Sequence, residues 1–332
     1  MSRPVWRLML GAAIAVTLQA PAHAYLKFGF RVGDRTVDVK WGQQPIRYFV
    51  NERDIEGVTA ADFRAAVGRA AATWQGAEGA QVSFELMGTT AAPPGLIDGR
   101  TTLGFLDRPD LDRVLGATSL LIDSTTGSIV EADVFFNTRF PWSVAPAGET
   151  GRVDLESVVL HELGHLMGLG HSALGETERT PTGSRRVIAS GAVMFPIALA
   201  PGTIADRTLQ PDDRAGAADI YPSGTQRDST GSVQGRVVKN GQGVYGAHVV
   251  AFNPATGALI GGFTLNPNGD FVIAGLDPGP HLIRVEPLDD GEVESFLTGP
   301  VDVDFTATYG PRMVVAPAGG SSAAIEIVVR PK

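Results

Sequence analysis

The chain has 332 residues, 43% of them hydrophobic and 19% charged, with 41 Gly and 22 Pro in no fixed period. Those figures leave room for about two domains with buried cores, exclude disorder and collagen, and make an all-helical bundle a poor expectation. The formal charge of −9, or −11 without the Arg3 and Arg7 of the first 24 residues, argues against a nucleic-acid partner; with no cysteine there is no disulfide and no thiolate, so any metal must be held by His, Asp or Glu.

The N-terminus carries Arg3 and Arg7, then an apolar run from Leu8 to Leu18, then Pro21-Ala22-His23-Ala24 with small residues at the cleavage positions. This is the form of a secretory signal, 1–24, cut after Ala24. The run is shorter than the roughly 20 residues a spanning helix needs. The mature protein is therefore expected outside the cytoplasm, secreted or periplasmic, with no membrane span.

Residues 25–50 alternate around Phe28, Phe30, Val32, Val37, Val39, Ile46, Tyr48 and Val50, the period of half-buried strands. Thr59 with Asp62 forms a capping box for a helix whose apolar face is Phe63, Ala66, Val67, Ala70 and Trp74, stopped by Gly76. Val82–Leu86 and Leu103–Phe105 read as strands. Residues 116–122 and 129–136 read as a hairpin around Asp123-Ser124-Thr125-Thr126-Gly127. Asp154 is a good cap for a second helix to Met167, ended by Gly168. A third opens at Gln210-Pro211-Asp212-Asp213 and closes near Ile220. Ser223 to Ser232 contains no large apolar residue and reads as a linker, 223–232. Beyond it, 233–332 alternates as short strands with Gly, Pro and Asn turns, which predicts an all-β sandwich domain.

His161-Glu162-Leu163-Gly164-His165 lies inside the second predicted helix, where a four-residue step sets both imidazoles on one face. Gly168 lets the chain leave the helix, so that His171 can return as a third nitrogen ligand. Three neutral imidazoles leave one position of a tetrahedral zinc open, as a catalytic site requires. Glu162 suits a general base that takes a proton from water at the metal and passes it to the leaving amine. Of six histidines, one is in the signal, three are in this motif, and His248 and His281 are expected to be packing or surface residues of the β domain.

The pattern HExxHxxGxxH resembles the metzincin metalloproteases and, with Ser172 after the third histidine and LQPDDRAGAADIY at 209–221, their matrixin branch. The resemblance covers 25–222. It implies an α+β zinc protease domain, with a twisted mixed sheet and three main helices, that acts on a protein or peptide substrate. Ala192-Val193-Met194-Phe195-Pro196 matches the family's methionine turn, which makes Met194 an apolar floor under the imidazoles. By the same resemblance Gly116, Ala117, Thr118, Ser119 and Leu120 form the sheet edge to which a substrate strand adds, and Pro196 belongs to the wall of the specificity pocket. Two departures stand out: Ala198 occupies a position where matrixins carry tyrosine, and 173–191, with Arg179, Arg185 and Arg186, is inserted before the methionine. That loop reads equally as a solvated insertion and as a substrate-contacting lip. Without cysteine no thiol can block the metal, and no histidine of 25–160 is available for a second zinc. Calcium stays open through Asp123, Asp133 and Asp154, which also read as turn, strand-surface and cap residues.

Gly269-Asp270-Phe271-Val272-Ile273-Ala274-Gly275-Leu276-Asp277-Pro278-Gly279 resembles the carboxypeptidase-regulatory-like, transthyretin-type β-sandwich. No catalytic set is visible there, its ligand is unknown, and Asp289-Asp290 with Glu292 and Glu294 reads as a solvated acidic loop. The leading expectation is a secreted zinc endopeptidase. The alternatives are a binding or adhesion protein on an inactive or narrow-specificity metalloprotease fold, and a zinc hydrolase of non-peptide amides.

Overall fold

The structure is a computed structural model that describes residues 27–32, 35–179, 185–288, 297 and 300–332. The signal segment 1–24 and the acidic stretch 289–294 lie outside them.

Strands β1 (Gly29–Val32) and β2 (Arg35–Asp38) form an antiparallel pair of their own. The main sheet takes β3 (Lys40–Trp41), β4 (Ile46–Asn51), β5 (Phe84–Thr90), β6 (Thr102–Leu106), β7 (Gly116–Ile122) and β8 (Ser128–Asn137), in the order β3-β8-β6-β4-β5 with β7 added to β8. Every pairing is parallel except β7 on β8. Ile46, Tyr48 and Val50 of β4 point inward as their alternation requires. The predicted strand at 82–86 instead runs from Phe84 to Thr90, because Gln44 Oε1 takes the Ser83 N–H and Ser83 O pairs with the Ile46 N–H to set the register.

Helix α1 (Ala60–Gln75) begins at the expected Thr59/Asp62 box and buries Phe63, Ala66, Val67, Ala70, Ala71 and Trp74. It lies beside α2 (Leu155–Met167), where the fully buried Trp74 donates its indole N–H to Leu160 O at 2.8 Å. Phe63, Phe105, Phe136 and Trp142 stack edge-on or tilted between helix and sheet, with centroids 4.7–6.4 Å apart. Asp154 caps α2 by accepting the Ser157 N–H at 3.0 Å and is clamped by Arg207, whose Nε donates at 2.9 Å. Gly168 ends the helix at φ +110°; a Cβ there would lie 2.3 Å from Val39 O, so glycine is required both by handedness and by space.

Asp133 is not a strand-surface residue. It is buried, and its oxygens accept the N–H groups of Thr102 at 2.7 Å and Gly95 at 2.5 Å, while Glu131 takes Gly99 N–H at 2.6 Å. These acids fasten the loop 91–101 over the sheet, a pairing that strand alternation alone does not reveal. Burial, with Glu131 and Asp98 nearby, lifts the Asp133 carboxyl to about 6 against the pull of its two backbone donors.

The polar loop after His171 forms a hairpin of β11 (Gly175–Arg179) and β12 (Arg185–Ser190), following the short parallel pair β9 (Trp142–Ser143) and β10 (Val153–Asp154). Helix α3 (Pro211–Ile220) follows. Then come a single turn, α4 (Gln226–Ser229), and Ser223, whose N–H donates to Gly79 O at 2.8 Å. After that the regular elements among the described residues are all strands: β13 (Gly231–Lys239) carries β14 (Gln242–Gly243), β17 (Asp270–Leu276) and β21 (Ile325–Val329) in one sheet. β15 (His248–Phe252), β16 (Leu259–Phe263), β18 (Gly279–Glu286), β19 (Thr308–Tyr309) and β20 (Val314–Ala316) form the other. Val233, Phe271, Ile273, Ile283, Phe305 and Ile327 are buried between them, in an apolar cluster continuous with the helix–sheet core.

His248 and His281 are both 2% exposed. His248 Nδ1 donates to Glu286 Oε1 at 3.0 Å, and Arg284 donates to the other oxygen. Burial pushes the Glu286 carboxyl up, but His248 and Arg284 outweigh it and hold it at about 2, below the ordinary 4.5. A depressed carboxylate stabilises the fold fully above its unfolded value and loses that contribution as pH falls toward its folded one. Thermal melts of Glu286→Gln should therefore vary less between pH 4.5 and pH 2 than those of the parent chain; parallel curves would show that the cluster adds no pH-dependent stability.

Candidate metal centre

Helix α2 places His161 and His165 one turn apart, with ring centroids at 4.7 Å, and the chain that leaves at Gly168 brings His171 to 4.7 Å from His165 and 5.4 Å from His161. One nitrogen from each ring lies within 4.8 Å of the others, and among the described residues this is the one such group of three or more metal-ligating side chains. His161 Nδ1 pairs with Val193 O at 2.8 Å and His165 Nδ1 with Leu169 O at 2.8 Å. A carbonyl can only accept, so both Nδ1 atoms carry the proton and both Nε2 atoms are bare lone pairs. Burial, then His171, lowers the His161 ring to about 4, and burial, then His161 and His171, holds the His165 ring well below its ordinary value, which keeps both neutral.

His165 Nε2 stands 3.1 Å from His171 Nε2. At that separation His171 Nε2, when it carries the proton, donates to His165 Nε2, and when it does not both lone pairs are placed to take a cation. The donor set is all nitrogen, which suits zinc and not calcium. Asp123, Asp133 and Asp154 do not meet: the first closes a turn by accepting Thr125 and Thr126 N–H, the second is buried under the loop 91–101, and the third caps α2.

Glu162 is 4% exposed and its carboxylate turns to the sheet edge, where Thr118 Oγ1 donates to Oε2 at 2.7 Å. Burial raises its carboxyl to about 7 while the Thr118 hydrogen bond lowers it. Gly116 leaves room for that side chain: a Cβ at 116 would lie 3.1 Å from Glu162 Oε1. Of the remaining edge residues, Ser119 Oγ donates to Asp133 O at 3.3 Å, Leu120 packs on the core, and Ala117 is half-buried. Strand β7 pairs with β8 alone among the described residues, which leaves its far edge without a strand partner.

Met194 is 2% exposed and its sulfur lies over Gly164, where a Cβ would approach it to 2.2 Å. Asp213 holds the turn, accepting N–H from Val193 at 2.9 Å and Met194 at 3.1 Å, and Ser172 N–H donates to Met194 O at 2.9 Å. Pro196 is half-buried beyond it. Thr118 as partner of Glu162, and Asp213 as the anchor of the turn, were not foreseen in these roles; a helix-start acid gives no sign of which distant loop it will bind. Hairpin β11–β12 stands directly after the third ligand, with Arg186 paired to Glu178.

Gly164→Ala should lower the free energy of unfolding by about 1–3 kcal/mol, although alanine is the better helix former by about 1 kcal/mol, because the methyl must displace Met194 and Trp74. Denaturant midpoints measure it, and a stabilised variant would show that Met194 yields freely.

Among known proteins, the Matrixin family pattern matches residues 40–222. Metalloendoproteinase 2-MMP of Arabidopsis thaliana is 56% identical over 41 residues, 11% of this chain and 11% of that protein. The chain thus spans about a tenth of that relative's length. Matrixins are zinc-dependent, and the His161, His165 and His171 triad inside the matched region is positioned to bind a metal. No described helix is long and apolar enough to cross a membrane. A family match over more than half of the chain, with the three histidines and Glu162 inside it, makes this chain a member of the matrixin family of metallopeptidases.

Proposed function

We propose that the chain is a secreted zinc endopeptidase that hydrolyses internal peptide bonds, with Glu162 as general base and then general acid. The observation that carries this reading is the convergence of three ring nitrogens within 4.8 Å, two from α2 and one from the chain beyond Gly168, while the Glu162 carboxylate between the first two is bonded to Thr118 of β7. Glu162 is thus outside the nitrogen group and adjoins its first member in sequence.

His161, His165 and His171 would hold zinc, which when bound supplies Lewis acidity for the scissile carbonyl and lowers the pKa of the attacking water. Glu162 accepts the proton that water loses as its oxygen bonds to the carbonyl carbon, and returns it to the amide nitrogen as the C–N bond breaks. Thr118 holds Oε2 of that carboxylate from the sheet edge and leaves Oε1 to work. The free edge of β7, Gly116 to Leu120, offers backbone groups to an extended peptide as a further strand, and Pro196 forms part of the facing wall. Backbone pairing gives loose sequence preference and cleavage within chains.

The division into a signal at 1–24, a protease domain at 25–222, a linker at 223–232 and a carboxypeptidase-regulatory-like β-sandwich at 233–332 belongs to the same reading. It is supported by the signal-like N-terminus and by the run of strands from β13 onward, which begins at Gly231, two residues inside the linker read from the sequence.

Purified protein, Glu162→Ala and chelator-treated protein would each be incubated with a denatured protein mixture, and new termini read by mass spectrometry. Internal termini from the untreated parent alone are expected, with Glu162→Ala retaining zinc and losing turnover by about three orders of magnitude or more. Cleavage that survives the chelator, or near-normal activity of Glu162→Ala, would remove the mechanism; a folded, zinc-loaded parent that cuts nothing would favour the binding-protein reading. Met194→Leu should keep measurable activity with stability lowered by less than about 1.5 kcal/mol, since its contact is packing. A folded Met194→Leu without zinc would contradict that.

A further inference from the structure

Asp212, the second residue of α3, is 2% exposed, and each of its carboxylate oxygens has a different partner. Oδ2 accepts the hydroxyl of Ser172, the residue after the third histidine, at 2.6 Å. Oδ1 accepts the backbone N–H of Gly261, at the centre of β16 in the C-terminal strands, at 2.8 Å. The Ser172 hydroxyl in turn accepts the N–H of Leu174 at 3.2 Å. The turn that carries His171 is thus bonded to a carboxylate whose other half is fixed by the C-terminal sheet.

Gly261 is tightly fitted there. A Cβ at that position would lie 2.8 Å from His248 Nε2 and 3.3 Å from Leu174 Cγ. His248 Nε2 is buried with no hydrogen-bond partner, so the ring is held in this seam by its Glu286 bond and by packing on Phe263 at 5.3 Å. Leu174 and Ala192, at the two ends of the β11–β12 hairpin, close an apolar cluster with Val250 of β15. Both chain segments that flank the metal centre on the α3 side, the one after His171 and the one before Met194, therefore rest on the C-terminal strands.

We infer that the C-terminal β region is a working part of the metal centre: Asp212 and Gly261 act as positioning residues that hold His171 in ligand geometry. A third ligand on a loop loses conformational freedom on binding unless the loop is already fixed, and partners that orient ligands typically contribute ten- to a hundred-fold in metal affinity. The inference rests on the zinc reading above.

The test uses the full chain and its zinc affinity, read by competition with a chromophoric chelator, together with thermal melts of the metal-free proteins. Asp212→Ala and Gly261→Ala should each melt cooperatively and bind zinc about ten-fold or more weakly than the parent. The double variant should be no weaker than the poorer single one, because both break one connection. Lowered melting temperatures with unchanged zinc affinity would make the contact merely structural and overturn the inference. If Gly261→Ala does not fold, Val250→Ala, which trims the cluster under Leu174, should weaken zinc in the same way, and an unaltered affinity there overturns it equally. A parent chain that binds no zinc would instead remove the proposed function.

Discussion

The metal centre depends on two backbone carbonyls, Val193 O and Leu169 O, which take the Nδ1 protons of His161 and His165 and so turn both Nε2 lone pairs toward one point. An imidazole bound through a carbonyl has one tautomer and one ring orientation, and a ligand set built this way is ready before the ion arrives. Both acceptors lie just outside regular structure. Leu169 follows the helix end, and Val193 is in the turn before Met194. Their positions are therefore set by whatever fixes those two breaks in the chain: Gly168 in its left-handed conformation, and Asp213, which pins the N–H groups of Val193 and Met194.

The helix that carries the first two ligands is held along its whole length. At its start Asp154 is cap and ion-pair partner at once, through Ser157 and Arg207. In the middle Trp74 donates to Leu160 O, and near the end Met194 lies on the bare backbone of Gly164. Except for the Asp154–Arg207 ion pair, each contact uses a backbone atom or a glycine, so the helix is fixed by its axis and not only by its apolar face. The sheet adds the last constraint, because β7 must pass close enough for Thr118 to reach Glu162, and Gly116 makes that approach possible.

Much of this was legible in the sequence where chemistry is local. Capping boxes, the glycine stop and the HExxHxxGxxH spacing involve residues within one or two turns, and they predicted α1, α2, the histidine triad and the start of α3. What was not legible crosses the fold. Asp133 alternates like a surface residue, yet it is buried by a loop that begins some forty residues upstream and needs an acceptor. Strand β5 runs two residues later than its apolar pattern, because register is set by the Ser83 N–H donated to Gln44 Oε1 and the Ile46 N–H donated to Ser83 O. The insertion after His171 reads as polar loop because a two-stranded hairpin with one exposed face offers little apolar signal.

The consecutive acids of α3 show how far such long-range demands can be compressed. Adjacent residues on a helix point about 100° apart, so Asp212 and Asp213 cannot address the same element. Asp213 reaches the methionine turn and also receives the N–H of the N-cap Gln210 at 2.8 Å, which closes the capping box of its own helix. Asp212 faces the other way, to Ser172 and to Gly261. By sequence both are ordinary acids at the positive end of a helix dipole. In the fold each is desolvated, and burial lifts their carboxyls to about 7 and about 6. Two buried acids side by side are tolerable only because every oxygen has a donor, and those donors come from the segment after His171, the turn around Met194, the start of α3 itself and β16. Helix α3 is thus the element that joins the segment after His171, the turn around Met194 and the C-terminal strands.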